Sequence, residues 1–325
     1  MDTFSVVLII LVFFLLSTGI AMLSTIAGIG GGVIFTPIML AFTNVNSLVV
    51  RATGIIVAMF SSPISIGIFT RKGLANYRLS LVMAISQSLG ALSGATLAVM
   101  TAAEAGMVGE GLLRLGLGLI LMSVAIYFLS GGKKTEWPVV KHVDKFTRLL
   151  KLEHSYYEES EGAIRKYKVT RALSGMILLF IIGVVGGFFG MGGGWAITPT
   201  LNMVMGMPLR LSAVNSGIIL GISGSVSIWP FIFAGGIIPL FVLPWLAGQI
   251  VGGFVGAHLL ARIKIGIVRM ILIGIMFYTS FTLVMRGFEM LDVISATPAI
   301  VDIVLLTVTL AGIIIWISRS GRHQS

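Results

Sequence analysis

Two glutamines, Gln87 and Gln249, interrupt long apolar runs. Gln87 lies about nine residues into its run and Gln249 about eleven, so a helical rise of ~1.5 Å per residue puts both roughly 14–17 Å along. A primary amide carries two N–H donors without a charge. It can therefore donate to an oxyanion where a buried cation would be costly, or equally bridge two helices. A second chemistry lies in the stretches AGIGGGVIFTPIML, residues 27–40, and FGMGGGWAITPTLN, residues 189–202. Thr36-Pro37 and Thr198-Pro199 read as helix starts, with Thr as N-cap and Pro at the first helical position. The short helices would then run to about Phe42 and Gly206. A helix N-terminus exposes unpaired N–H groups and a partial positive charge. Two such termini facing each other inside an apolar body form an anion site without a cation. The plainer alternative is that the glycines let helices pack closely.

The candidate binding residues are therefore Gly28, Gly30, Gly31, Gly32, Thr36 and Pro37 in the first stretch, and Gly190, Gly192, Gly193, Gly194, Thr198 and Pro199 in the second. Gln87 and Gln249 join them, as do Thr53, Asn215 and Ser216, which begin the helices that follow. Arg51 is a candidate gate or anion attractor, or else an interfacial snorkelling residue. Trp195 and Trp229 either wall the site or pack as interfacial aromatics. The spans before residue 131 hold no Asp or Glu in their middles, which argues against a cation carrier or proton pump.

Several chemistries are excluded. The chain has no cysteine, so it has neither disulfides nor thiolate metal sites. No histidines cluster, and the glycine stretches lack the Gly-Lys-Ser/Thr ending of a phosphate loop. No cofactor or metal is implied. Ser223 and His258 resemble the Ser and His elements of rhomboid intramembrane proteases, but their helical positions leave them roughly 10 Å or more apart. His258 reads instead as a capping or interfacial residue, with proton coupling as the sharper idea. No enzyme is expected. A passive anion channel of the same architecture remains the serious alternative to a carrier, because both need helix ends and amides along a path.

The elements that position these residues are hydrophobic helices. Of 325 residues 57% are hydrophobic and 10% charged, with mean hydropathy +1.06. Soluble domains carry ~25% charged residues, so the composition implies an all-α polytopic membrane protein embedded in lipid. Spans are predicted near 48–69, 79–101, 112–130, 211–234, 238–261, 266–286 and 299–318, with longer units at 4–43 and 171–206 holding the glycine stretches. Basic residues concentrate at 71–78, in a 131–170 linker, at 262–269 and at 319–322. The formal charge of +10 is thus topological rather than a sign of nucleic-acid binding. The positive-inside rule places the linker and C-terminus in the cytoplasm and the N-terminus outside. Residues 141–152 of the linker form either an amphipathic surface helix or a topological anchor. No protein partner is named by the sequence.

The two glycine stretches align at an offset of 162 residues, which also pairs Thr53 with Asn215, Gly54 with Ser216, Gln87 with Gln249, Gly90 with Gly252 and Gly94 with Gly256. Arg114 matches Arg269 after a shortened loop. The expected organisation is a first repeat at 1–130, the linker at 131–170, a second repeat at 171–287, and an extra C-terminal helix and tail at 288–325. Each repeat would be a broken, re-entrant hairpin plus three spans. Charge parity makes the two repeats inverted, an arrangement common in alternating-access transporters.

The pattern GxGGGxxxxPxL, complete from Gly190 to Leu201 and carrying Met39 in place of Leu in the first copy, resembles the TauE/SafE family of sulfite exporter-like permeases. So do the polar helix starts RATG at 51–54 and AVNS at 213–216, and the resemblance covers all but the linker and the last span. It implies transport, in the direction of export, of a small sulfur-containing anion such as sulfite or an organosulfonate across the bacterial cytoplasmic (inner) membrane.

Overall fold

The computed structural model describes residues 3–27, 29–61, 74–104, 106–129, 142–158, 163–259 and 265–294, with the isolated positions 138, 140, 307 and 309. The protein is an all-α polytopic membrane protein. Five helices precede the linker: α1 (Thr3–Ala27), α2 (Gly32–Phe42), α3 (Ser47–Phe60), α4 (Tyr77–Glu104) and α5 (Gly106–Leu129). The linker holds α6 (Lys145–Leu149), β1 (His154–Glu158) and β2 (Ala163–Tyr167). Then follow α7 (Ala172–Phe189), α8 (Gly194–Pro199), α9 (Leu209–Ser227), α10 (Trp229–Phe233), α11 (Pro239–Leu259) and α12 (Ile265–Met290). Among the described residues, seven helices are long and apolar enough to cross a membrane, and α2 and α3 are shorter apolar helices. The span expected at 299–318, and the basic positions 71–72, 262–264 and 319–322, lie outside the described residues.

Both helix breaks are present, but they differ from expectation in where the short helices start. Gly30 (φ +81°) separates α1 from α2, and Gly190 (φ +69°) and Gly192 (φ +67°) separate α7 from α8. Only glycine adopts these left-handed angles at little cost, so the chain turns at the glycines and coils again at once. Helix α2 starts at Gly32 and α8 at Gly194, with Gly31 and Gly193 as N-caps that offer no side-chain bond. Thr36 and Thr198 are therefore not caps, and Pro37 and Pro199 are not first residues. Pro37 sits inside α2, and Pro199 ends α8. Proline cannot supply the N–H that continues an α-helix, and behind Pro199 the chain widens into a π-helical turn, Thr200–Val204.

Packing repeats at the same offset of 162 residues. Helix α1 lies along α11, and α4 along α7. Methyl groups placed on Gly252 and Gly256 of α11 would meet Thr18 and Met22 of α1, and methyl groups on Gly90 and Gly94 of α4 would meet Phe180 and Val184 of α7. Each of these pairs maps onto the other by adding 162. Contacts advance in the same direction along both helices, so each pair is parallel. Glycine allows this backbone-to-backbone approach, as in other membrane helix interfaces. Helix α5 instead meets its counterpart α12 antiparallel: Gly111 faces Leu291, Gly118 faces Val284, and Ser280 Oγ donates to Gly118 O at 2.6 Å.

The linker is more structured than its charge suggests. Of the stretch 141–152, read as either a surface helix or an anchor, only the five residues of α6 are helical among the described residues, and β1 pairs antiparallel with β2, which was not anticipated. Leu152, Tyr156, Tyr167 and Val169 join one apolar core with Leu79, Met205 and Leu211 of the helical body. Asp144 caps α6 and also accepts from the backbone N–H of Arg171 (2.6 Å) and from Thr170 Oγ1 (3.2 Å) at the start of α7.

Candidate functional site

The two breaks touch each other. A methyl group on Gly32 would lie 2.6 Å from Met191 O, one on Gly194 would strike Ile29 O, and one on Gly30 would lie 3.8 Å from Gly194 Cα. Each break is also faced by the glutamine of the other half. Gly31 looks onto Gln249, with Oε1 2.7 Å from a methyl placed there, and Gly193 looks onto Gln87 Nε2 so closely that any side chain would collide. The two relations are again equivalent at an offset of 162. Both glutamines are buried, and the side-chain oxygen of each lacks a hydrogen-bond partner. Gln249 Nε2 donates to Ser17 O (3.3 Å) and Ser17 Oγ (3.2 Å).

A small cavity, with room for about one water molecule in this conformation, opens on the Gln87 side. Gln87 and Ala91 of α4, Gly183, Gly186 and Gly187 of α7, and Gly192 and Gly193 of the second break form one wall. Ile55 and Ala58 of α3 and Leu220, Ser223, Gly224 and Ser227 of α9 form the other. The first-turn N–H groups of a helix have no intrahelical partner. The second break therefore presents backbone donors and a buried amide around one small space, also lined by Ser223 and Ser227, whose hydroxyls bond their own helix, with no charged side chain in the wall.

The remaining candidates take varied places. Gly28 lies outside the described residues. Thr36 Oγ1 donates to Gly190 O at 2.8 Å, and a methyl on Gly54 would clash with both. In the other half Thr198 Oγ1 donates to Ser216 Oγ at 2.9 Å, so Ser216 stands where Gly54 leaves room. These residues brace the breaks from behind. Thr53 is spent on its own helix, donating to Val49 O at 2.8 Å. Asn215 is drawn away from the cavity wall: its Oδ1 accepts from Asn76 N–H (2.9 Å) and Ser80 Oγ (2.7 Å). Arg51 is buried, donates to Ser47 O and Phe188 O at 3.3 Å each, and lies over the Phe188 ring at 5.8 Å. It thereby pairs with a carbonyl at the C-terminal end of α7, the favourable end for a cation. Trp229 is exposed beside Phe233, while the indole N–H of Trp195 is buried without a partner. Ser223 donates to Leu220 O and His258 Nδ1 bonds Phe254 O, so these two form no pair.

Sequence reasoning missed Ser17 and Trp245. Ser17 Oγ donates to Trp245 O at 2.5 Å, and Trp245 packs on Phe35 (ring centroids 4.6 Å) and Phe13 (5.1 Å). The signal was present: Trp245 and Gln249 are four apart on α11, as Phe35 and Gly31 are across from them on α2.

Residues 12–283 match the family described as Sulfite exporter TauE/SafE. The chain belongs to the TauE/SafE family. It is also 22% identical over 270 residues to the "Probable membrane transporter protein YunE" of Bacillus subtilis (strain 168), an alignment covering 81% of this chain and 93% of that one. No solved structure matches. Both names are those of membrane transporters, and this TauE/SafE chain is one by family. Its glycine breaks and facing glutamines lie within the matched residues.

Proposed function

We propose that this TauE/SafE protein is a secondary transporter of a small sulfur-containing anion such as sulfite or an organosulfonate, working as an exporter by alternating access. The carrying observation is the buried Gln87 amide, unpaired at Oε1 and set directly against Gly193 in the wall of a cavity lined by no charged side chain. An unpaired buried polar atom costs about 1–3 kcal/mol, and a bound ligand is one reason for a protein to keep one. The substrate would sit beside the crossing breaks. It would accept from the backbone N–H groups at Gly193, Gly194 and Trp195 and from the Gln87 NH₂, which already faces Gly193. Thr36, Thr198 and Ser216 would hold the breaks in shape, and Arg51 would add positive potential one helical turn from Ile55 of the cavity wall.

The two halves are read as inverted repeats. The antiparallel meeting of α5 with its counterpart α12, and the crossed pairing of α1 with α11 and α4 with α7, support this. Inverted halves can exchange conformations about one central site. The charge pattern favours a cytoplasmic linker in a bacterial inner membrane. Counterflow in proteoliposomes tests the reading. Saturable exchange of radiolabelled sulfite against internal sulfite or an organosulfonate is expected. Flux that ignores internal anion and follows voltage alone would instead mean a passive channel.

A further inference from the structure

We infer that the chain carries a second oxyanion half-site, the counterpart of the Gln87 cavity, built by Gln249, Thr25 and Ser61 beside Gly30 and Gly31 and walled off by Leu220 in this conformation. The inference rests on the transport reading above. Moving the cavity wall by 162 residues carries Gln87 to Gln249, Gly187 to Thr25, Ser223 to Ser61, and Gly192 and Gly193 to Gly30 and Gly31. The fold brings Gln249 and Ser61 to the first break and seats Thr25 against α11 two helical turns beyond Gln249. A methyl on Gly31 would lie 2.7 Å from Gln249 Oε1, one on Gly30 would lie 3.9 Å from Ser61 Oγ, and one on Gly256 of α11 would lie 3.2 Å from Thr25 Cβ.

The polar atoms of this set are unusual in two ways. Gln249 Oε1 and Thr25 Oγ1 are both buried without a hydrogen-bond partner, and so is the indole Nε1 of Trp245, one turn before Gln249. A cluster of buried polar atoms without partners calls for a ligand or water. The second half-site is also richer in hydroxyls than the first, because Thr25 stands where the first has Gly187. Turning the Gln249 amide to offer NH₂ gives up its bonds to Ser17, and swinging the Ser61 hydroxyl inward gives up its bond to Ala58 O, while the Thr25 hydroxyl, the indole N–H and the unpaired N–H groups at the start of α2 are free to donate. All are neutral donors, which suits a small oxyanion in a low-dielectric interior.

Leu220 lies between the two half-sites. Its Cδ1 would lie 2.9 Å from a methyl on Gly192 and its Cδ2 3.1 Å from one on Gly30, so one side chain touches both breaks. Val57 Cγ1 comes equally close to Gly31, at 3.1 Å. The counterpart of Leu220, Ala58, also touches both breaks, its Cβ lying 2.8 Å from methyls placed on Gly192 and on Gly32. Leu220 thus separates the two half-sites, and its withdrawal from Gly30 would open the second.

The test is the KM for radiolabelled sulfite measured from each face, in right-side-out and inside-out vesicles holding the full chain. Thr25→Val and Gln249→Leu are expected to raise KM at least tenfold at one face and leave the other within twofold, and Gln87→Leu to do the reverse. Leu220→Ala keeps every polar group and is expected to raise unexchanged sulfite leak at least tenfold. Thr25→Val is the deciding variant, because it removes a hydroxyl that bonds to nothing and therefore leaves folding intact. Unchanged KM at both faces for Thr25→Val overturns the second half-site while transport by the wild type stands. An equal rise at both faces overturns it in favour of one shared site. A wild type without saturable flux overturns the transport reading and this inference with it.

Discussion

The backbone N–H of Asn76 donates to the side-chain oxygen of Asn215 at 2.9 Å, joining the residue just before α4 to the middle of α9. The Asn76 side chain closes the arrangement. Its Oδ1 accepts from Leu79 N–H at 3.0 Å, and its Nδ2 donates to Leu152 O (3.0 Å) and Tyr167 OH (3.1 Å) of the linker. Asn215 Nδ2 donates to Leu211 O at 2.7 Å. Three separated segments thus share two side chains. Asn215→Leu leaves several buried groups without partners, at about 1–3 kcal/mol for each. It is expected to lower Tm in detergent by several degrees, with the KM for sulfite unchanged in the protein that remains folded. A raised KM with an unchanged Tm would return Asn215 to the substrate.

Gly31 and Gly193 have no room for a side chain, since Gln249 and Gln87 fill the space. Gly31→Val and Gly193→Val are each expected to abolish counterflow while leaving membrane insertion and expression at wild-type levels. Normal transport in both variants would show that the breaks do not bear on the path.

Arg51 lies one turn from the cavity wall. With an effective dielectric of ~20 and a separation on the order of 10 Å, its charge is worth roughly 1.7 kcal/mol to a monoanion. Arg51→Gln is therefore expected to raise the KM for sulfite about tenfold. A KM that stays put while Tm falls would reduce Arg51 to its bond with Phe188 O.

Partial burial alone would raise the Asp144 carboxyl, but hydrogen bonds from Thr147, Arg171 N–H and Thr170 outweigh it and hold the group down at about 2, against an ordinary 3.8. A depressed carboxyl contributes stability that is present above its unfolded value and lost as pH falls through its folded one. The linker is expected to stay docked at neutral pH and down to about 3.8, and to release as pH falls towards 2. Pepsin cleavage of residues 142–170 across this range reads the release, and Asp144→Asn should release the linker already at neutral pH, read there with trypsin.

Much of this was legible in the sequence. The glycine stretches announced the breaks because positive φ leaves few other residue choices. The offset announced which residues correspond, and the two glutamines stood out because amides are rare in apolar runs. The start of each short helix was misread because Thr-Pro is a strong N-terminal pattern. Here Gly32 and Gly194 begin coiling before the proline is reached, and the threonines turn to Gly190 O and Ser216. The β-hairpin was hidden in a linker that reads as charged, since only Tyr156 and Tyr167 mark its buried face. Asn215 was singled out because it begins the helix after the second break, while the partners of its side-chain oxygen, Asn76 and Ser80, lie 135 or more residues away and leave no trace in local spacing.

The parallel seating of α1 against α11 has a consequence for how the chain is made. Ser17 bonds a carbonyl 228 residues further on. At ~5–20 residues per second the ribosome needs on the order of 10–50 s to deliver that partner. Throughout that interval the first helix sits in the bilayer with the Ser17 hydroxyl unmatched, and α7 claims α4 long before α11 arrives. The first half is completed only by α11, which is synthesised late in the second. An interrupted or truncated chain would therefore strand its own beginning, which makes α1 a natural handle for insertion chaperones and membrane quality control.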